Sequence, residues 1–286
     1  MDYVYFIASV ICVWIILSVA ANLAIGYGGL MSLGHVGYLA IGAYTAASLN
    51  ILLNLNFYYT IPIAIVATAA VAYVTVIPLL RLGTFYFGLA TLGLNIVITD
   101  VLQNIGPRVP GAEGLFGLHL PELMTIGLWR LTFIAALTAG VVYLALRLVR
   151  SPFGRSLRAM RDQPDAIESL GKSARRVRTI IWTISGALAG LAGALYCTTL
   201  SYIDPTVFNF QFSFNLLTYI GFGGLASIAG SVLGPAILIA FGEALRFTGL
   251  PSEITGPVQQ SLFALLLIFV MVFRRQGLVG KYDFRE

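Results

Sequence analysis

Ile61-Pro62-Ile63-Ala64-Ile65-Val66-Ala67-Thr68-Ala69-Ala70-Val71-Ala72-Tyr73-Val74-Thr75-Val76-Ile77-Pro78-Leu79-Leu80 carries no charge over its whole length. About 20 apolar residues in a helix match the roughly 30 Å hydrocarbon core of a bilayer. The run is continuous, whereas a membrane β-barrel alternates apolar and polar in short segments. Leu131–Leu146 and Ile254–Phe273 are also uncharged, with Glu253 at the border of the second. Of the 286 residues 58% are hydrophobic and 10% charged, against about 25% charged in a soluble domain. Too little polar surface remains to cover a water-soluble body. The expected fold class is therefore all-α: a polytopic transmembrane helical bundle of about eight to ten helical segments, one domain over 1–286.

Charge orients the bundle. Nine of the 17 Lys and Arg fall in one stretch: Arg147, Arg150, Arg155, Arg158, Arg161, Lys172, Arg175, Arg176 and Arg178. Arg274, Arg275, Lys281 and Arg285 follow the last apolar run. Basic loops stay cytosolic during insertion, so 150–178 is expected inside. Charge confined to such loops does not suit nucleic-acid binding. The start, with Ser18-Val19-Ala20-Ala21, imitates a cleavage site, but Met1-Asp2-Tyr3 is not a basic leader. It reads as an uncleaved first helix. Threading from the loop makes 179–200 exit and 256–273 return, with 214–248 starting and finishing outside around a Gly-rich centre. Backward, 129–149 enters, 107–128 lies outside, 84–105 exits and 57–80 enters. Residues 21–50 form another pair around a Gly-rich centre, and 3–20 exits from a cytosolic start. Ten segments result, with both termini inside.

Ile25-Gly26-Tyr27-Gly28-Gly29-Leu30-Met31-Ser32 is repeated as Ile220-Gly221-Phe222-Gly223-Gly224-Leu225-Ala226-Ser227, 195 positions later. Both copies sit in the Gly-rich pairs, so the pairs read as broken or re-entrant helices within an internal repeat, with halves of about 3–80 and 179–273. Duplicated halves with interrupted helices are a transporter feature. A helix broken inside lipid frees backbone groups that need protein or water beside them. Asn22, Gly28, Gly29, Ser32, His35, Asn95, Gly223, Gly224 and Ser227 are therefore candidates for lining a translocation path. Close packing is the competing use of the glycines. It is the better reading for Gly186, Gly190 and Gly193, spaced along one helix face.

Other motifs carry less. Gly171-Lys172-Ser173 resembles the end of a P-loop, but the Gly required five positions earlier is Ala166 and no strand precedes it. Ser32 and His35, a turn apart, could pair as nucleophile and base, though a buried His more often packs. Cys12 and Cys197 show no metal spacing. Asp100 reads as an interfacial charge, and Glu243 and Arg246 as an i, i+3 pair. Within the basic loop, Pro164 can start a short helix, Asp165 suits its first turn and Gly171 can end it. Ala166, Ile167 and Leu170 would give it an apolar stripe.

Asn22-Leu23-Ala24-Ile25-Gly26-Tyr27-Gly28-Gly29-Leu30-Met31-Ser32-Leu33-Gly34-His35, continuing to Gly42-Ala43-Tyr44, resembles the permeases of branched-chain amino acid ABC importers, as do Arg155–Gly171 and Ser185–Gly193. The resemblance covers nearly the whole chain and is nearer the LivM type than the LivH type. It implies a membrane permease subunit without an ATPase site or cofactor of its own, in the inner membrane. It implies a homologous second permease (LivH-type), two cytosolic ATPases that bind ATP, and a periplasmic substrate-binding protein. Arg158, Asp165, Ala166, Ile167, Glu168, Leu170 and Gly171 would then contact the ATPase as a coupling segment. Permeases for urea and short amides share these motifs. The alternatives are a stand-alone channel or ion-coupled carrier and, further off, an intramembrane enzyme.

Overall fold

A computed structural model describes residues 2–104, 114–163, 167–168, 171–200, 202–246, 252–273 and 276–280. The helices are α1 (Asp2–Asn22), continued by a π-turn (Leu23–Tyr27), then α2 (His35–Leu53), α3 (Phe57–Leu79), α4 (Thr84–Gln103), the short α5 (Glu122–Thr125), α6 (Gly127–Arg150), α7 (Pro152–Asp162), α8 (Ala174–Leu200), α9 (Phe210–Gly223), α10 (Ile228–Arg246) and α11 (Ser252–Phe273). Seven of these helical stretches are long and apolar enough to cross a membrane. β1 (Leu115–Phe116) and β2 (Tyr202–Ile203) pair antiparallel, Leu115 opposite Ile203, and join the segments that precede α5 and α9.

α8 is the central strut. Hydrocarbon gives no hydrophobic drive between helices, so close backbone approach must supply the packing. The α8 glycines do this. A Cβ on Gly186 would strike Ala72 of α3, one on Gly190 would strike Thr68 of α3, and one on Gly193 would strike the Leu39 carbonyl of α2. Polar relays pin the same helices. The Trp182 indole N–H donates to the Tyr38 hydroxyl (3.0 Å), which pairs with Thr75 Oγ1 (2.7 Å). Ser185 Oγ donates to the Ala20 carbonyl of α1 (2.6 Å) and pairs with His35 Nε2 (2.8 Å). The large lipid-type side chains Val66, Tyr73, Phe85, Tyr86, Ile268 and Phe269 are exposed.

The expected threading fails at its start. Residues 3–20 and the first limb of 21–50 are one helix, α1 with its π-turn, and the first pair is α1 and α2. Helix α1 runs parallel to α6. A Cβ on Gly127 would sit 3.7 Å from Asp2 Oδ1, Thr138 Oγ1 donates to the Cys12 carbonyl (3.4 Å), and Tyr27 shares a cavity with Val149 and Arg150. Asp2 therefore lies at the end of the bundle opposite the basic segment. Residues 276–280 lie at the basic end, where Val279 lines that cavity with Arg150 and Arg158. Asp2 and residues 276–280 do not share a face, and among the described residues nine helices, α1–α4, α6 and α8–α11, stand where ten segments are expected. The helix persists because Asn22 does not cap it. Its side chain points to another helix, and the i→i−5 bond from Gly28 N to the Leu23 carbonyl (3.1 Å) absorbs the irregularity as a π-turn.

In the second pair α10 finishes at the end opposite the basic segment, where Glu243 meets Tyr3 and Arg246, while the shorter α9 starts beside Trp14, part-way along α1. The repeat extends beyond the glycine motif, since α2 and α10 follow the breaks and α11 begins 195 positions after α3.

Cysteines at Tyr3 or Trp129, introduced after Cys12→Ala and Cys197→Ala, should react with an impermeant maleimide from one side of the membrane. A cysteine at Arg175 should react from the other. Labelling of positions 3 and 175 from the same side would refute the parallel course of α1 and α6.

Candidate functional site

The two breaks meet at the basic end. The chain leaves α1 through Gly28 and Gly29, the latter in the left-handed region (φ +67°). It leaves α9 through Gly224 (φ +119°) and Ala226 (φ +56°). Ala226 is strained there, because a left-handed L-residue costs about 1–2 kcal/mol. Asn22 fixes it: the Ala226 amide donates to Asn22 Oδ1 (3.0 Å), while Asn22 Nδ2 donates to Ser231 Oγ (2.6 Å) and the Ser227 carbonyl (3.0 Å). Asn22 is fully buried, so its amide ties the first break to the second where no water competes. A Cβ on Gly26 would lie 2.6 Å from the Ala226 amide nitrogen, which is why the approach needs glycine.

Helix α7 lies against this knot. Pro152 opens it, and Ser151 caps it by accepting from the Gly154 amide (3.3 Å). Leu157 and Met160 are buried on one side. Arg161 reaches from α7 to donate to the Gly26 carbonyl, freed by the break, and its Cγ lies 3.0 Å from where Gly29 would carry a Cβ. Arg158 donates to the carbonyls of Gly154 and Val149 (3.4 Å each). At the second break, the amides of Leu278 and Val279 donate to the carbonyls of Phe222 (3.0 Å) and Gly223 (3.1 Å). A cavity of about 530 Å³ opens between α6, α7, the π-turn and the start of α10.

The structure thus brings together Asn22, Gly28, Gly29, Gly223, Gly224 and Ser227. Ser32, His35 and Asn95 sit elsewhere. Ser32 Oγ accepts from the Gly34 amide (3.1 Å) and is not paired with His35. Because Ser185 donates its proton to Ala20, His35 must donate Nε2–H to Ser185, and the ring is held in packing against Trp182. That arrangement does not build a nucleophile–base pair. Asn95 donates to the Phe208 carbonyl (3.3 Å), while its Oδ1 is buried without a partner.

Of the coupling residues, Asp165, Ala166 and Leu170 lie outside the described residues. Ile167 is buried against its own chain, which does not suit an outward docking face. Glu168 is exposed. Gly171 (φ +73°) ends the turn by donating its amide to the Glu168 carbonyl (3.0 Å). The sequence predicts a helix only beyond Pro164, whereas the structure adds α7, with Arg161 and Tyr27 as site residues. The signal was present in Ser151-Pro152 as cap and N1, and in Arg155, Arg158 and Arg161 at i, i+3, i+6.

Asn22→Leu should lower the unfolding midpoint. It leaves the Ala226 amide without its acceptor, at about 1–3 kcal/mol, while Ser231 keeps its bond to the Ser227 carbonyl (3.1 Å). Thermal unfolding in detergent checks this, and an unchanged midpoint would show that the two breaks are not tied through Asn22.

Residues 3–273 match the family described as "Branched-chain amino acid transport system / permease component". The high-affinity branched-chain amino acid transport system permease protein LivM of Escherichia coli (strain K12) is 32% identical over 96% of this chain and 69% of that protein. The probable branched-chain amino acid transport permease protein LivM of Methanocaldococcus jannaschii is 24% identical over 95% and 92%. The E. coli LivH permease is 27% identical over 62% and 53%. No solved structure matches the chain. With nearly its whole length matched, and with paired helix breaks in a multi-pass membrane bundle, this chain belongs to the branched-chain amino acid transport permease family.

Proposed function

We propose that the chain is the LivM-type permease subunit of an ATP-driven importer of branched-chain amino acids or related small polar solutes. The basic end is cytosolic, by the positive-inside rule, in the inner membrane. Asp2 then lies at the outer face and residues 276–280 at the inner. A homologous LivH-type permease completes the membrane unit. Two ATPases dock beneath and bind ATP, and a periplasmic binding protein delivers the solute. This chain performs no covalent chemistry and holds no cofactor.

One observation carries the mechanism: Arg161 joins the cytosolic helix α7 to the carbonyl that the first break exposes. α7 is capped and half-buried, so it moves as a body. A displacement imposed by ATPase closure on α7 and on the segment at Glu168 and Gly171 reaches Gly26 through Arg161. It passes from the first break to the second through Asn22. Both breaks are irregular backbone held by a few side-chain bonds, the kind of element that has two discrete arrangements.

A stand-alone ion-coupled carrier is less well supported. It needs an acid within the bundle. Asp100 is exposed, and Glu243 is paired with Arg246 at 3.3 Å.

In proteoliposomes carrying the assembled importer, Arg161→Met should cut uptake roughly tenfold, in line with couplings of about 0.5–2 kcal/mol. ATP hydrolysis and ATPase association should persist, and Arg161→Lys should restore part of the uptake. Unchanged uptake in Arg161→Met would remove Arg161 from the coupling route. Uptake without ATPases would overturn the importer reading itself.

A further inference from the structure

The cavity beside the knot has a chemistry that solute transport does not explain. One side is cationic: among the described residues, Arg150, Arg158 and Arg161 line it with a single acid, Asp162. The ion pair between Arg246 and Glu243 is at the other end of the bundle. Arg158 is held over the cavity by carbonyls alone, which orient its charge without neutralising it. Ser227, Ile228 and Ala229, the cap and first turn of the 19-residue α10, also line the cavity. They add a helix N-terminus, which favours an anion. The other side is apolar: Leu146, Val149, Ile228, Ala229 and Val279.

The apolar side continues out of the cavity. Ala229, Leu233 and Ile237 recur every four residues on one face of α10, and Leu233 and Ile237 are 41% and 42% exposed. This stripe starts at the cationic cavity and runs along the helix toward the middle of the bundle. A free phosphate would use only the arginines. A charged head with a hydrocarbon tail uses both parts, and about 530 Å³ lies within the 300–1,000 Å³ typical of ligand sites.

We propose that this cavity binds the headgroup of an anionic phospholipid, with an acyl chain laid along Ala229, Leu233 and Ile237. The phosphodiester sits between Arg150 and Arg158, against the first turn of α10. Arg161 touches both the cavity and the Gly26 carbonyl, so the lipid occupies the joint between α7 and the two breaks. The site requires only the fold and the membrane, and holds whether or not the transport reading does.

The test uses the full chain in nanodiscs of equal phosphatidylglycerol and phosphatidylcholine, released into native mass spectrometry. Wild type should retain phosphatidylglycerol selectively. Arg150→Gln with Arg158→Gln should lower that retention roughly thirtyfold, two arginine contacts' worth. Arg175→Gln with Arg176→Gln, on the same face but outside the cavity, should leave it unchanged. Ala229→Trp fills the cavity while keeping every arginine, and should abolish retention. It answers the case in which the double arginine variant does not fold. Equal retention of phosphatidylcholine, or equal loss in the Arg175 and Arg176 variant, would overturn the proposal. So would displacement of the lipid by millimolar inorganic phosphate.

Discussion

In hydrocarbon, each backbone amide and carbonyl must find a partner within the protein, and an unpaired group costs several kcal/mol. A helix that stops inside the membrane violates this until something else bonds its freed groups. This chain breaks two helices at glycine turns at the basic end of the bundle, and the bonds that compensate make up much of its site. Arg161 takes the Gly26 carbonyl. The amides of Leu278 and Val279 take the carbonyls of Phe222 and Gly223. Asn22 takes the Ala226 amide and gives its own N–H groups to Ser227 and Ser231. Each compensating group comes from a different part of the chain, so the breaks hold distant segments together.

The rest of the bundle is arranged around a rigid member. Helix α8 is lined by glycines that admit α2 and α3 to backbone contact, and its polar side chains bond to α1 and α2. Small residues and buried hydrogen bonds are the two means of holding helices together where the solvent is itself apolar. The breaks are held by other means, through Asn22, Arg161 and the amides of Leu278 and Val279.

Charge is placed with similar economy. The described acids of the bundle sit at helix ends or in loops, and His35 is engaged by Ser185 and Trp182. The interior therefore offers amides, hydroxyls and carbonyls rather than fixed charges, which suits a small zwitterionic or polar solute that must leave again.

The residues of 61–80 and their counterparts determined by themselves that this is a helical membrane protein, because length and hydropathy alone decide whether a helix can cross a bilayer. The repeat at 25–32 and 220–227 pointed to two helices that break in equivalent places, because the same glycine pattern recurs in both apolar pairs. Gly186, Gly190 and Gly193 were legible as packing glycines from their spacing. The direction of α1 was not legible: whether a helix ends or continues at Asn22 depends on where that side chain finds partners, and these lie 205 and 209 positions away. For the same reason the partners of His35 and Asn95, Ser185 and the Phe208 carbonyl, could not be foreseen. Arg161 read as one more cytosolic charge until the fold brought the Gly26 carbonyl to it. Local sequence sets which segments enter the membrane. Which freed backbone group meets which side chain is a long-range contact, and only the tertiary structure decides it.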